Sequence, residues 1–125
     1  MDILISNTSD LPIYQQIADQ IQRLILSGAL QPGEALPSMR YLAKELRISV
    51  ITTKRAYEEL EQAGFLENVA GKGCFVASQS PQMLHETRLH MAEEHLRKAV
   101  AVAKTGNIEL AEMTELLTFI YQEDD

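Results

Sequence analysis

One cysteine, Cys74, is all this chain has, so no internal disulfide can staple it. Cys74 falls in an alternating apolar segment, where a buried and inert thiol is expected rather than a redox sensor. No run of about 18 apolar residues occurs, which argues against membrane insertion. The opening residues Met1-Asp-Ile-Leu-Ile5 lack the basic stretch, apolar core and cleavage site of a secretory leader, so a cytoplasmic protein is expected. At 125 residues and 46% hydrophobic, the chain has room for one ordinary domain or a small domain with an appendage, and is too short for a large effector domain. Catalytic signatures are missing too: there is no Ser/His/Asp arrangement, phosphate-binding glycine loop, metal cluster or convincing carboxylate pair, so neither enzymatic activity nor a cofactor is expected. His85, His90 and His95 invite a metal reading that their spacing rejects. Steps of five turn about 140° around a helix, and no two adjacent histidines share a face.

Basic charge is also scarce, with 11 Lys and Arg against 18 Asp and Glu and a net charge of −7. That balance suits no general DNA-coating protein, because nonspecific affinity comes from cations neutralising phosphates. The distribution is uneven. Residues 78–125 hold four basic and nine acidic residues, whereas the stretch from Arg40 to Arg55 sets Arg40, Lys44, Arg47, Lys54 and Arg55 against Glu45 alone. A local basic patch on an acidic chain fits a specific operator binder, since the acidic remainder repels random duplex.

The same stretch carries the chain's most informative pattern. Leu36 to Leu60 reads as two short helices joined by a tight turn, with Ser38 and Ser49 as N-caps. The first buries Leu42, Ala43 and Leu46; the second buries Ala56, Leu60 and Tyr57 and ends at Gly64. This is a helix-turn-helix whose second helix presents Ser49, Thr52, Lys54 and Arg55 near its N-terminal end, where a recognition helix meets base edges and phosphates. Before it, Ile13, Ile17, Ile21, Leu24 and Ile25 form one face of a helix that follows Pro12 and stops at Gly28, and a turn-rich connection runs from Ala29 to Leu36. After it the period changes to alternation. Residues 65–69 and 74–77 read as strands joined by Ala70-Gly-Lys-Gly73, a β-hairpin wing with Lys72 at its tip. The fold expected is therefore mainly α with a small β-hairpin, a winged helix-turn-helix over residues 1–77 followed by a helical region over 78–125.

In that second region, Ser78 to Pro81 reads as a hinge and Met83 to about Lys104 as a long helix. Leu89, Ala92, Leu96, Ala99 and Ala103 recur along it at heptad-like spacing. Gly106 is expected to end this helix and Asn107 to cap a final one bearing Leu110, Met113, Leu117, Ile120 and Tyr121. About 45 residues cannot bury two such stripes alone, so a homodimer through this helical hairpin is expected, with a small-molecule effector between subunits as an addition.

Pro12-Ile-Tyr-Gln-Gln-Ile17, the run from Gly28 to Ala43, Arg55-Ala-Tyr-Glu-Glu-Leu60 and Gly71-Lys-Gly-Cys-Phe-Val76 together resemble the GntR family of bacterial transcription regulators. The short two-helix tail resembles the YtrA subfamily, which implies a dimeric repressor, often of transporter operons. The resemblance assigns DNA contacts to Arg40, Ser49, Thr52, Lys54, Gly71 and Lys72. It also exposes a departure: many relatives carry a basic residue after the position of Ser49, where this chain has Val50 and Ile51, an apolar surface compatible with a thymine methyl. The competing reading is a winged helix that docks on protein without operator binding, and the basic stretch from Arg40 to Arg55 speaks against it.

Overall fold

The computed structural model describes residues 1–123, which fall into two compact units meeting between Leu84 and His85. In the first, α1 (Ile13–Leu26) buries Ile17, Ala18, Ile21, Ile25 and Leu26. Ile13 and Leu24, expected on the buried face, are only half-buried. The face turns instead toward Gln16, which is buried because its side-chain amide has backbone partners. Gln16 Oε1 accepts from the Ser6 N–H at 2.8 Å, and its Nε2 donates to the carbonyls of Ser6 and Leu11. One turn on, Gln20 makes the same paired bonds to Leu4. Two amides spaced i, i+4 thus bind the extended N-terminal segment as a strand partner would, with Ile3 buried beneath it.

Both serine caps form. Ser38 Oγ accepts from the Tyr41 N–H to start α2 (Met39–Leu46), and Ser49 Oγ accepts from the Thr52 N–H to start α3 (Val50–Gln62), each at 3.1 Å. Leu42 and Ala43 are buried on α2, with Leu46 half-buried. Thr53, Ala56, Tyr57 and Leu60 are buried on α3, which packs on both α1 and α2. The Tyr57 hydroxyl donates to the Pro37 carbonyl at 2.8 Å, tying α3 to the loop that feeds α2.

α3 closes with Gly64 at φ +86°, its N–H on the Glu61 carbonyl and the Phe65 N–H on that of Leu60. Phe65 is therefore committed to the helix end, and β1 (Leu66–Val69) starts one residue later than the alternation suggests. It pairs antiparallel with β2 (Gly73–Val76), Leu66 opposite Val76 and Val69 opposite Gly73. The connection read as irregular adds a third edge to this wing. The Gly33 and Leu36 N–H groups donate to the carbonyls of Val76 and Cys74, and the Val76 N–H donates to that of Glu34.

The segment expected to hinge carries local bonds within the first unit. Gln79 Nε2 donates to the Gly64 carbonyl at 3.0 Å, Ser80 Oγ caps the Met83 N–H at 3.1 Å, and Pro81 opens α4 (Pro81–Thr105) at the position where a missing N–H costs nothing. In the second unit α4 gives way to α5 (Leu110–Tyr121). The helix stops at Gly106 as expected, but the role of Asn107 is corrected: at φ 58° it is the left-handed residue just past the end of α4, with the Ile108 N–H on the Ala103 carbonyl at 2.9 Å. Asparagine tolerates that conformation better than most side chains. Glu109 takes the N-cap position of α5, without a side-chain cap bond. Among the described residues no helix is long and apolar enough to cross a membrane.

Candidate nucleic-acid interface

The capping that starts α3 also fixes what its first turn presents. Ser49 Oγ lies 2.8 Å from Thr52 Oγ1, so the two hydroxyls form one cluster at the positive end of the helix. Thr52 is half-buried and Thr53 fully buried, which turns Val50, Ile51, Lys54 and Arg55 outward. Lys54 lies 3.8 Å from Glu58 one turn on, an exposed pair that contributes little to stability and leaves the ammonium able to exchange partners.

Arg55 is more firmly placed. Its guanidinium carbon lies 3.8 Å from the centre of the Tyr14 ring, and Nη2 donates to the Tyr14 hydroxyl at 3.1 Å. A cation over an aromatic face is attracted by the ring quadrupole and keeps its charge available to an anion on the far side. Sequence reading named Arg55 but missed Tyr14, 41 positions earlier; the signal was its place in the Pro12-Ile-Tyr motif.

Arg40 is the second residue of α2 and exposed. Beside it Tyr41 donates its hydroxyl to the Glu45 carboxylate one turn on, and that hydrogen bond, then the carboxylate's charge, raises the phenol pKa. In the wing, Gly71 at φ +77° and Gly73 at φ +114° make the tight turn, and the Lys72 N–H closes it on the Val69 carbonyl at 3.0 Å. Lys72 is exposed at the tip. The first compact unit thus carries all seven sequence-predicted residues, Arg40 on α2, Ser49 to Arg55 around the start of α3, and Gly71 and Lys72 on the wing. Cys74 is half-buried on β2; burial, then the charge of Glu61, pushes its thiol pKa up, the opposite of a reactive thiolate.

The predicted seam residues lie in the second unit. Leu89, Ala92, Leu96, Ala99, Leu110, Leu117 and Ile120 are exposed, Met113 is half-buried and Ala103 is buried within the single chain.

The pattern described as "Bacterial regulatory proteins, gntR family" matches residues 13–76. The chain is similar to the HTH-type transcriptional repressor YtrA of Bacillus subtilis, 34% identical over 113 residues, covering 90% of this chain and 87% of that protein. Among solved structures it resembles YtrA from Sulfolobus acidocaldarius, a GntR-family transcription factor, at 38% identity and a TM-score of 0.59 over 74% of this chain and 97% of that one. The DNA-binding domain of AraR in complex with operator ORX1 is 29% identical, with a TM-score of 0.55 over 62% of this chain and 96% of that one. With that similarity joined to a capped helix-turn-helix and its wing, the chain belongs to the GntR family of bacterial regulatory proteins, as a non-enzymatic, sequence-specific DNA-binding transcriptional regulator of YtrA type.

Proposed function

We propose that this protein is a dimeric repressor that binds a palindromic operator through two copies of its winged helix and is released by a small effector. The observation that carries the operator reading is the outward row on α3, where Lys54 and the Tyr14-braced Arg55 follow the capped hydroxyl pair of Ser49 and Thr52. Lys54 and Thr52 read base edges, while Arg40, Ser49, Arg55, Gly71 and Lys72 hold phosphates and so fix register. The repressor role is supported by the name of the Bacillus relative, and the operator role by the AraR complex.

The exposed leucines of α4 and α5 support pairing through the second unit. So does an apolar groove of about 750 Å³ lined by Ala92, Leu96, Ala99, Leu117 and Tyr121, which would also admit an effector at the seam. Two recognition helices then meet half-sites about one helical turn apart. A selection from random duplex DNA at near-physiological salt tests this reading: a two-fold symmetric motif is expected, and no enrichment by folded dimer would overturn it in favour of a protein-docking winged helix. Lys54→Ala is expected to relax specificity at one position and weaken operator binding by about 1–3 kcal/mol, read by titration against the selected site.

A further inference from the structure

We infer that Ile51 reads the C5-methyl group of a thymine in each operator half-site. This rests on the operator-binding reading and adds to it a base identity. Ile51 is the second residue of α3 and 80% exposed, with Val50 beside it 44% exposed. The helix packs on the core through Thr53, Ala56, Tyr57 and Leu60, so its buried face is complete without Ile51. At helical spacing Ile51 shares the outward face with Lys54 and Arg55, three and four positions on. A lone exposed isoleucine on a protein surface is ordinary. Here it stands on the basic face, within the first turn of the helix that enters the groove.

A side chain with neither donor nor acceptor gains nothing from the polar atoms of the major groove, whose one apolar feature is the thymine methyl. The flanking Lys54 and Arg55 supply the charge that brings an anionic surface such as duplex DNA, rather than an apolar or basic protein surface, against this residue.

The test uses the full-length protein and the operator recovered by selection, with each thymidine of the half-site replaced in turn by deoxyuridine, which removes only the methyl. Affinity is measured by fluorescence anisotropy for the wild type and for Ile51→Ala, a change at an exposed helical position that favours the helix. At one symmetric position the wild type is expected to lose about fourfold per half-site, the worth of one buried methyl, and Ile51→Ala is expected to be indifferent there. Wild-type indifference at every thymine, or equal sensitivity in the variant, would overturn the inference while leaving operator binding intact. Failure to select any operator removes the operator reading and this inference with it.

Discussion

Tyr57 concentrates several constraints in one side chain. It is buried on α3, its hydroxyl donates to Pro37, and burial, then the nearby Cys74 thiol, holds the phenol protonated well above the usual tyrosine range. An unfolded chain ionises tyrosine near pH 10. Because the folded pKa is the higher one, the stability linked to this group is complete below about pH 10 and is lost as pH rises beyond it toward the folded value. Cys74, also raised, adds a loss that begins nearer pH 8.5. Tyr57→Phe is expected to cost about 1 kcal/mol at neutral pH through the lost hydrogen bond. It should also flatten the decline above pH 10 and leave the earlier one in place. Urea unfolding at pH 7, 9 and 11 checks this, and an alkaline slope equal to wild type would remove the assignment to Tyr57. The burial of Tyr57 was legible from its spacing to Ala56 and Leu60, but its bond to Pro37 was not, because 20 residues of sequence separate the partners.

Three helices end by one device, and they differ in how easily their sequences fit it. After α2, α3 and α4 a left-handed residue is followed by an N–H that reaches back to the carbonyl five residues earlier, inside the helix; the residues are Arg47, Gly64 and Asn107. Glycine adopts this conformation freely and asparagine tolerates it, whereas arginine bears a cost of about 1–2 kcal/mol. Arg47 lies in the turn between α2 and α3, at φ 57°. Arg47→Gly is accordingly expected to raise stability by about 1 kcal/mol, a shift of about 4–8 °C in Tm for a unit of this size. If the guanidinium also holds a phosphate, operator affinity will fall in the same variant, so calorimetry and DNA titration separate the turn from the contact. A Tm at or below wild type would mean that Arg47 makes a stabilising contact worth more than its backbone strain. Elements with local signals, the two serine caps and the glycine-bounded wing, were legible in the sequence. The third edge of the wing was not, because Gly33 to Leu36 pair with residues about 40 positions away and show no alternation of their own. Asn107 was misplaced for a related reason: the same residue type suits a helix start and a left-handed helix end, and spacing alone does not choose between them.

For the whole molecule the governing fact is the contrast in charge and exposed apolar surface between its halves. The winged helix carries the basic stretch, whereas residues 78–125 carry the larger share of the net negative charge and a set of large apolar side chains facing water, among them Leu89 at 60%, Leu110 at 81% and Tyr121 at 87% exposure. Heptad-like spacing is what marks Leu89 and Leu96 on α4 as candidates for a seam. They face water in the single chain, so the proposed pairing is tested by breaking the seam. Leu96 lines the apolar groove, and Leu96→Glu would bury a carboxylate in any interface built there at a cost that no exposed position would incur. The variant is expected to sediment as a monomer with an unchanged melting transition for the winged helix. Because log K falls with log salt in proportion to the phosphates neutralised, a monomer on one half-site should show about half the wild-type salt slope, along with a large loss of operator affinity. A variant that stays dimeric would move the interface off this groove. A monomer that keeps the full slope and affinity would mean that the wild type engages DNA through one winged helix only, with no energetic role for pairing on DNA.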